Sequence, residues 1–128
     1  MTDHNPQRVA LVTGGAIRVG RAITLALASA GYDVMISYRS STVPAKETRA
    51  AVESFGQRCE VVRADLGEAA SAVVLIDKVR DTFGRLDLLV NSAASFDKRD
   101  LLELDAETWD TVMNLNARAP HLLVRAAA

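Results

Sequence analysis

One segment constrains this chain more than any other: Thr13-Gly14-Gly15-Ala16-Ile17-Arg18-Val19-Gly20, set between a short apolar run and a helical pattern. The run Val9-Ala10-Leu11-Val12 has no polar alternation, as a strand buried on both faces would have none. Behind the glycines, Val19, Ile23, Leu27 and Ala30 recur at helical spacing. A glycine-bearing turn between a first strand and a helix lets backbone approach a diphosphate. The helix N-terminus then offers N–H groups and a positive dipole. The plainer alternative is a tight turn that only needs glycine. A P-loop is the rival nucleotide motif, since Gly15 and Gly20 have its GxxxxG spacing. However, Arg21-Ala22 stand where its phosphate-binding Lys and magnesium-binding Ser or Thr belong.

The rest of the chain repeats the strand–helix alternation. Val34-Met35-Ile36, Glu60-Val61-Val62 and residues 86–90 are further strand candidates. Ala45, Val52 and Phe55 outline a second helix and Ala72, Ile76, Val79 and Phe83 a third. Gly31, Gly56 and Gly84 end the three helices. This βαβαβαβ order predicts parallel strands joined by right-handed crossovers. From Leu101 the pattern is helical again, with Asp105 as N-cap, Glu107 in the first turn, and Trp109, Val112, Met113, Leu122 and Leu123 as apolar faces. The sequence stops at Arg125-Ala126-Ala127-Ala128 without a cap, which reads as a stop in mid-helix that leaves the fourth strand as a bare sheet edge. No linker or repeat divides residues 1–128, so a single unit is expected.

Composition removes other classes. With 15 basic and 16 acidic residues the net charge is −1, which gives no electrostatic case for nucleic acid or an anionic membrane as partner. The single cysteine, Cys59, excludes an internal disulfide, and there is no CxxC or His/Cys cluster for zinc. Cys59 sits beside a buried strand and reads as core rather than nucleophile, and His4 and His121 lie far apart. No 18-residue apolar stretch is present, and the N-terminal residues carry Asp3 without an apolar run. The expectation is a soluble, cytoplasmic domain without a signal peptide or a metal site.

The pattern over residues 13–20 is TGxxxRxG. It resembles the TGxxxGxG motif of the short-chain dehydrogenase/reductase family, with Arg18 in place of the middle glycine. That departure is similar to the pteridine reductase and dihydromonapterin reductase branch, which carries arginine or lysine in this loop. The resemblance runs from about Val9 to Ala128. It implies a Rossmann-type doubly wound α/β fold with strand order 3-2-1-4. It also makes residues 1–128 the NADP-binding N-terminal half of a domain, ending in a helix, with the catalytic half absent.

Tyr38-Arg39-Ser40-Ser41 follow the second strand without the carboxylate that holds the ribose hydroxyls in NAD enzymes. Arginine offers a planar fork to a phosphate and serine adds neutral donors, so Arg39 and Ser40, with Arg18 facing them, favour NADP(H) over NAD. Two solvated arginines are the plainer alternative. Thr13, Gly14, Val19 and Gly20 complete the phosphate loop. The resemblance gives Asp65, with Leu66, the adenine amino group to receive; a helix-capping Asp is the competing explanation.

Asn91-Ser92-Ala93-Ala94-Ser95-Phe96 resemble the family's Asn-Asn-Ala-Gly floor beneath the nicotinamide. Asn91 and Ala93 match, whereas Ser92 and Ala94 depart. The pteridine reductase branch typically reads Asn-Asn-Ala-Ser-Ser-Phe, which implies that Ser95 and Phe96 shape a pterin site and that Ala94 lacks one expected hydroxyl. A core aromatic is the alternative for Phe96. Residues 109–120 resemble the family's Trp-x6-Asn helix followed by Ala-Pro, and give Asn116 the catalytic asparagine role. Pro120 has no N–H and crowds the carbonyl of Asn116, which is thereby freed to hold a water of the family's proton relay. A simple helix kink is the alternative.

The family's Tyr-x-x-x-Lys, its general acid, is absent from these 128 residues: Tyr32 and Tyr38 are followed four positions later by Ile36 and Thr42. The resemblance therefore implies an NADPH-dependent reductase acting on a small molecule, with hydride passing to a pterin-like C=N. The alternatives are a 3-oxoacyl-carrier-protein or other carbonyl reductase, and a non-catalytic NADP-binding protein. It also implies homo-oligomers in the full-length form.

Overall fold

The computed structural model describes residues 7–95 and 100–128. Four strands, β1 (Val9–Thr13), β2 (Asp33–Tyr38), β3 (Cys59–Arg63) and β4 (Leu88–Asn91), form one parallel sheet in the order β3-β2-β1-β4. Helices α1 (Arg18–Ser29), α2 (Thr42–Glu53) and α3 (Ser71–Phe83) connect them. After β4 come a single 3₁₀ turn (Leu101–Glu103), α4 (Ala106–Met113), a π-helical segment (Asn114–Arg118) and α5 (Ala119–Ala127). The expected doubly wound sheet and its strand order are both present.

Every residue of β1 is buried, because helices cover both faces of the sheet. On one face Val9, Leu11 and Met35 pack against Leu75, Ile76 and Val79 of α3 and Leu123 of α5. On the other, Val12, Val34 and Ile36 pack against Ala28 of α1 and Ala45 and Val52 of α2. Cys59 of β3 joins this second cluster, as its place in the sequence suggested. Gly31, Gly56 and Gly84 all take positive φ just after a helix, where an L side chain would be strained.

Three expectations about helix faces fail. Phe55, expected on the apolar face of the second helix, lies beyond Glu53 and is 49 % exposed, while Thr48 is buried in its stead. In α1 the buried positions are Gly20, Thr24 and Ala28, and Val19 is 69 % exposed. A Cβ on Gly20 would lie 1.9 Å from the Gly14 carbonyl oxygen, so this position must turn its bare Cα to the preceding turn. Positions four and eight residues later follow it inward, leaving Ile23 and Leu27 half-buried at the margin. In α4, Asp105 caps the N-terminus as expected, its carboxylate accepting the Thr108 N–H at 2.7 Å. Yet α4 buries no residue, and Trp109 and Met113 are exposed. Helical spacing shows that a face is apolar, not that this chain supplies a surface against it.

The amino ends of the strands are tied by polar side chains. Asp87 accepts the Val9 N–H at 2.8 Å and pairs with Arg85, and Asp33 accepts the Arg58 N–H at 2.8 Å. The Arg85 guanidinium, then the Val9 N–H, hold the Asp87 carboxyl below the usual carboxylate range. Arg8 lies over Tyr32 and Arg58 over Phe83.

Candidate functional site

At the opposite, carboxyl end, the order β3-β2-β1-β4 sends the chain away from β1 in both directions, and a crevice opens where the order reverses. A cleft of about 530 Å³ lies there, lined by the loops that leave all four strands. Adjacent strands about 4.8 Å apart separate the outer two by about 14 Å, the scale of an extended dinucleotide rather than a single ring.

The glycine turn forms the middle of the cleft. Gly14 has φ +62°, and a Cβ on it would meet the Ala93 backbone at 2.9 Å. The turn therefore packs backbone-to-backbone against the loop after β4 and also against the first turn of α1, through Gly20. No side chain caps the α1 N-terminus, and its first turn carries no acid. Thr13 is buried behind the cleft rather than lining it. Its hydroxyl accepts the N–H groups of Ser92 and Ala93, both at 3.1 Å, and donates to the Val90 carbonyl at 3.4 Å. It thus fixes the loop after β4 against β1.

Arg18 opens α1 at φ 52°, the one non-glycine residue at positive φ among those described. This is the position of the missing middle glycine, and the backbone explains why glycine suits it. Arg18, Val19 and Gly20 line one wall, while Tyr38, Arg39, Ser40 and Ser41 line the rim beyond β2. The Tyr38 carbonyl accepts the Ala64 N–H at 2.9 Å and the Arg39 carbonyl accepts the Arg63 Nε at 3.1 Å.

Asp65 and Leu66 line the cleft beyond β3. One carboxylate oxygen of Asp65 accepts the Gly67 N–H at 3.0 Å, closing a turn four residues before α3 begins. Asp65 does not cap α3, so that competing explanation falls. Leu66 is rooted in the core.

Ser92, Ala93, Ala94 and Ser95 line the other end, beside Leu115. Asn91 ends β4, in register with Thr13, and does not line the cleft. Phe96 lies outside the described residues. Asn116 does not line the cleft either: its side chain clasps the Ser95 peptide groups, Oδ1 accepting the Ser95 N–H at 2.9 Å and Nδ2 donating to the Ser95 carbonyl. Two residues on, the Arg118 guanidinium donates to the Gly67 carbonyl. The π segment is thus tied to the loops at both ends of the cleft. It has a local cause: Pro120 has no N–H for the Asn116 carbonyl and crowds it, and the helix widens there, with Ala119 N–H reaching back to the Asn114 carbonyl.

Beyond the residues assigned from sequence, the lining includes Ala16, Ile17, Ser37, Ser41, Ala64, Gly67, Leu115 and Ala94, the last expected only as a position that lacks a hydroxyl, with Arg63 and Arg118 behind it. Asp65-Leu66-Gly67 carried a usable signal, since Asp two residues before Gly favours an Asx turn. Arg63 and Arg118 carried none, because their partners follow from strand register and helix widening. Cys59 is far from this chemistry, and burial pushes its thiol up to about 12. Among the described residues no helix is long and apolar enough to cross a membrane.

Residues 8–128 match the family model for short chain dehydrogenase. The chain is 36 % identical over 121 residues to 2-dehydro-3-deoxy-D-gluconate 5-dehydrogenase of Escherichia coli, covering 94 % of this chain and 47 % of that protein. It is 34 % identical over 121 residues to a 3-oxoacyl-[acyl-carrier-protein] reductase of Synechocystis, covering 94 % and 49 %. A short chain dehydrogenase from Burkholderia cenocepacia, solved in complex with NADP, superimposes with TM-score 0.92 at 35 % identity, covering 98 % of this chain and 51 % of that one. A blue fluorescent protein from a metagenomic library, solved in complex with NADPH, gives 0.90 at 31 %, covering 98 % and 51 %. The chain spans about half the length of these curated relatives.

Proposed function

Because this chain belongs to the short-chain dehydrogenase family, we propose that it is the cofactor-binding, N-terminal half of an NADPH-dependent reductase. The observation that carries this is the donor set at the β2 end of the cleft. Arg39, Ser40 and Ser41 stand on the rim with Arg18 across from them, and the tip of β2 bears no carboxylate. That set fits a 2′-phosphate and leaves a bare ribose hydroxyl without its usual acceptor. The glycine turn and the uncapped α1 N-terminus suit the diphosphate. The remaining Asp65 oxygen suits the adenine amino group. Ser92 and Ala93, with Asn91 behind them, form the nicotinamide floor, which Thr13 holds in place.

When bound, NADPH supplies a hydride to an electrophilic carbon. The chain's own residues orient that event: the Thr13 hydroxyl and the Asn116 side chain fix the 92–95 loop, and the Asn116 carbonyl, denied an α-helical partner by Pro120, is the acceptor for a relay water. The proton donor is not among these residues, because neither tyrosine has a lysine four positions on. A Tyr-x-x-x-Lys pair has to come from outside residues 1–128.

For the acceptor we favour a pterin-like C=N, on the strength of Arg18 in the glycine loop and of Ser95 followed by Phe96. A carbonyl substrate is the second reading, favoured by relatives that include a 3-oxoacyl reductase. Fluorescence titration tests the cofactor directly. NADPH is expected to bind at least about tenfold more tightly than NADH, and Arg39→Ala to weaken NADPH by about 1.5–3 kcal/mol with NADH little changed. Equal binding of the two cofactors overturns the assignment. Phe96→Ala should weaken a dihydropterin more than NADPH; an unchanged dihydropterin affinity favours the carbonyl reading.

A further inference from the structure

We infer that Arg63, which does not line the cleft, is a positioning residue for cofactor choice, acting through the backbone of Arg39. The inference rests on the NADP reading of the site. Strand register explains why Arg63 matters. Tyr38 and Arg63 are the last paired residues of β2 and β3, and the Ala64 N–H bonded to the Tyr38 carbonyl is the last backbone rung between the two strands. The next carbonyl, that of Arg39, leaves the sheet at the rim of the cleft. Arg63 turns its Nε to it at 3.1 Å, so a side chain extends the ladder by one residue. The effect is to fix the backbone root from which the Arg39 side chain and the following Ser40 reach the cleft.

Charge adds a second reason. Among the described residues the ion pairs are Arg49–Glu53, Arg80–Asp77 and Arg85–Asp87. Arg18 and Arg39 line the cleft and Arg63 is bonded to the Arg39 carbonyl, so this corner carries three arginines with no carboxylate paired to them among the described residues. A doubly charged phosphate is the group such a corner discriminates best. A sheet residue that served only stability would not distinguish two cofactors differing by that one phosphate.

The test measures Kd for NADPH and NADH, and for 2′,5′-ADP and 5′-AMP, on the original chain and on Arg63→Met, Arg63→Lys and Arg39→Ala. Arg63→Met is expected to weaken NADPH and 2′,5′-ADP by about tenfold, the scale of one charge-assisted hydrogen bond, while NADH and 5′-AMP stay within about twofold. Arg63→Lys keeps the charge but loses the in-plane Nε donor, and is expected to lose most of the same discrimination. Parallel loss for phosphorylated and unphosphorylated ligands, no loss, or full retention by Arg63→Lys overturns the positioning role. Arg39→Ala separates the two levels. If it abolishes discrimination while the Arg63 variants keep it, only this inference fails. If Arg39→Ala leaves discrimination intact, Arg39 does not read the phosphate and this inference fails with it, whereas equal binding of NADPH and NADH by the original chain overturns the NADP reading itself.

Discussion

Arg18 combines a strained backbone with a proposed role in binding. Its φ of 52° lies in the left-handed region, which costs an L residue about 1 kcal/mol or more. Arg18→Gly is therefore expected to raise thermal stability while weakening NADPH. A melt and a titration on the same variant check both; a lowered melting temperature would show that the backbone carries no strain. Cys59 makes the opposite case, a group whose chemistry is switched off by packing. The fold favours its neutral form, whereas an unfolded thiol ionises near pH 8.5–9. Its contribution to stability is thus complete below about pH 9 and lost as pH rises towards 12. Stability measured from pH 8 to 11 should fall less steeply in Cys59→Ala than in the original chain. Maleimide labelling at neutral pH should proceed only as fast as the protein unfolds. Burial of Cys59 was legible from its place beside the Glu60-Val61-Val62 strand candidate, although in β3 it is Cys59 alone that is fully buried. The left-handed Arg18 was legible only as a missing glycine.

At the scale of elements, the π segment has the most to test. Pro120→Ala gives residue 120 an N–H for the Asn116 carbonyl, which favours an ordinary α-helix through residues 114–118. The expected result is unchanged or higher thermal stability with weaker cofactor binding, because Asn116 and Arg118 rotate off Ser95 and Gly67. A variant that binds NADPH as before would separate the helix widening from the cleft. Leu123 is fully buried and joins α5 to the sheet core, so Leu123→Ala is expected to cost about 2–5 kcal/mol in denaturant titration. Strands and helices were readable because apolar runs and terminal glycines are local signals. The ties of Arg63 to Arg39 and of Arg118 to Gly67 were not, since each joins residues whose proximity arises only after the sheet and the helix have formed. The solvent-facing side of α4 was hidden for the same reason.

Across the whole molecule, the cleft and the polar anchorage sit at opposite ends of one sheet. β4 pairs only with β1 among the described residues, so its outer edge presents unpaired backbone, and the 128-residue chain is expected to self-associate with rising concentration in sedimentation velocity. Asp87→Ala removes the ties to Val9 and Arg85 and is expected to lower the melting temperature at pH 7 without altering NADPH affinity. Because the Asp87 carboxyl is held below the ordinary range, its benefit is present above about pH 4 and lost as pH falls further. The gap between variant and original should therefore close in acid. The fold class and most of the cleft lining were recoverable from sequence because the strand ends carry compact motifs, whereas the polar ties beneath the sheet involve ordinary Asp and Arg in no motif at all. The separation has a bearing on how such a chain changes over generations. Substitutions at Asp33, Arg58, Arg85 and Asp87 can adjust tolerance to heat or acid while the rim of Arg18, Arg39 and Ser40 stays untouched. A lineage can therefore move to a new temperature while the residues proposed to select the cofactor stay as they are.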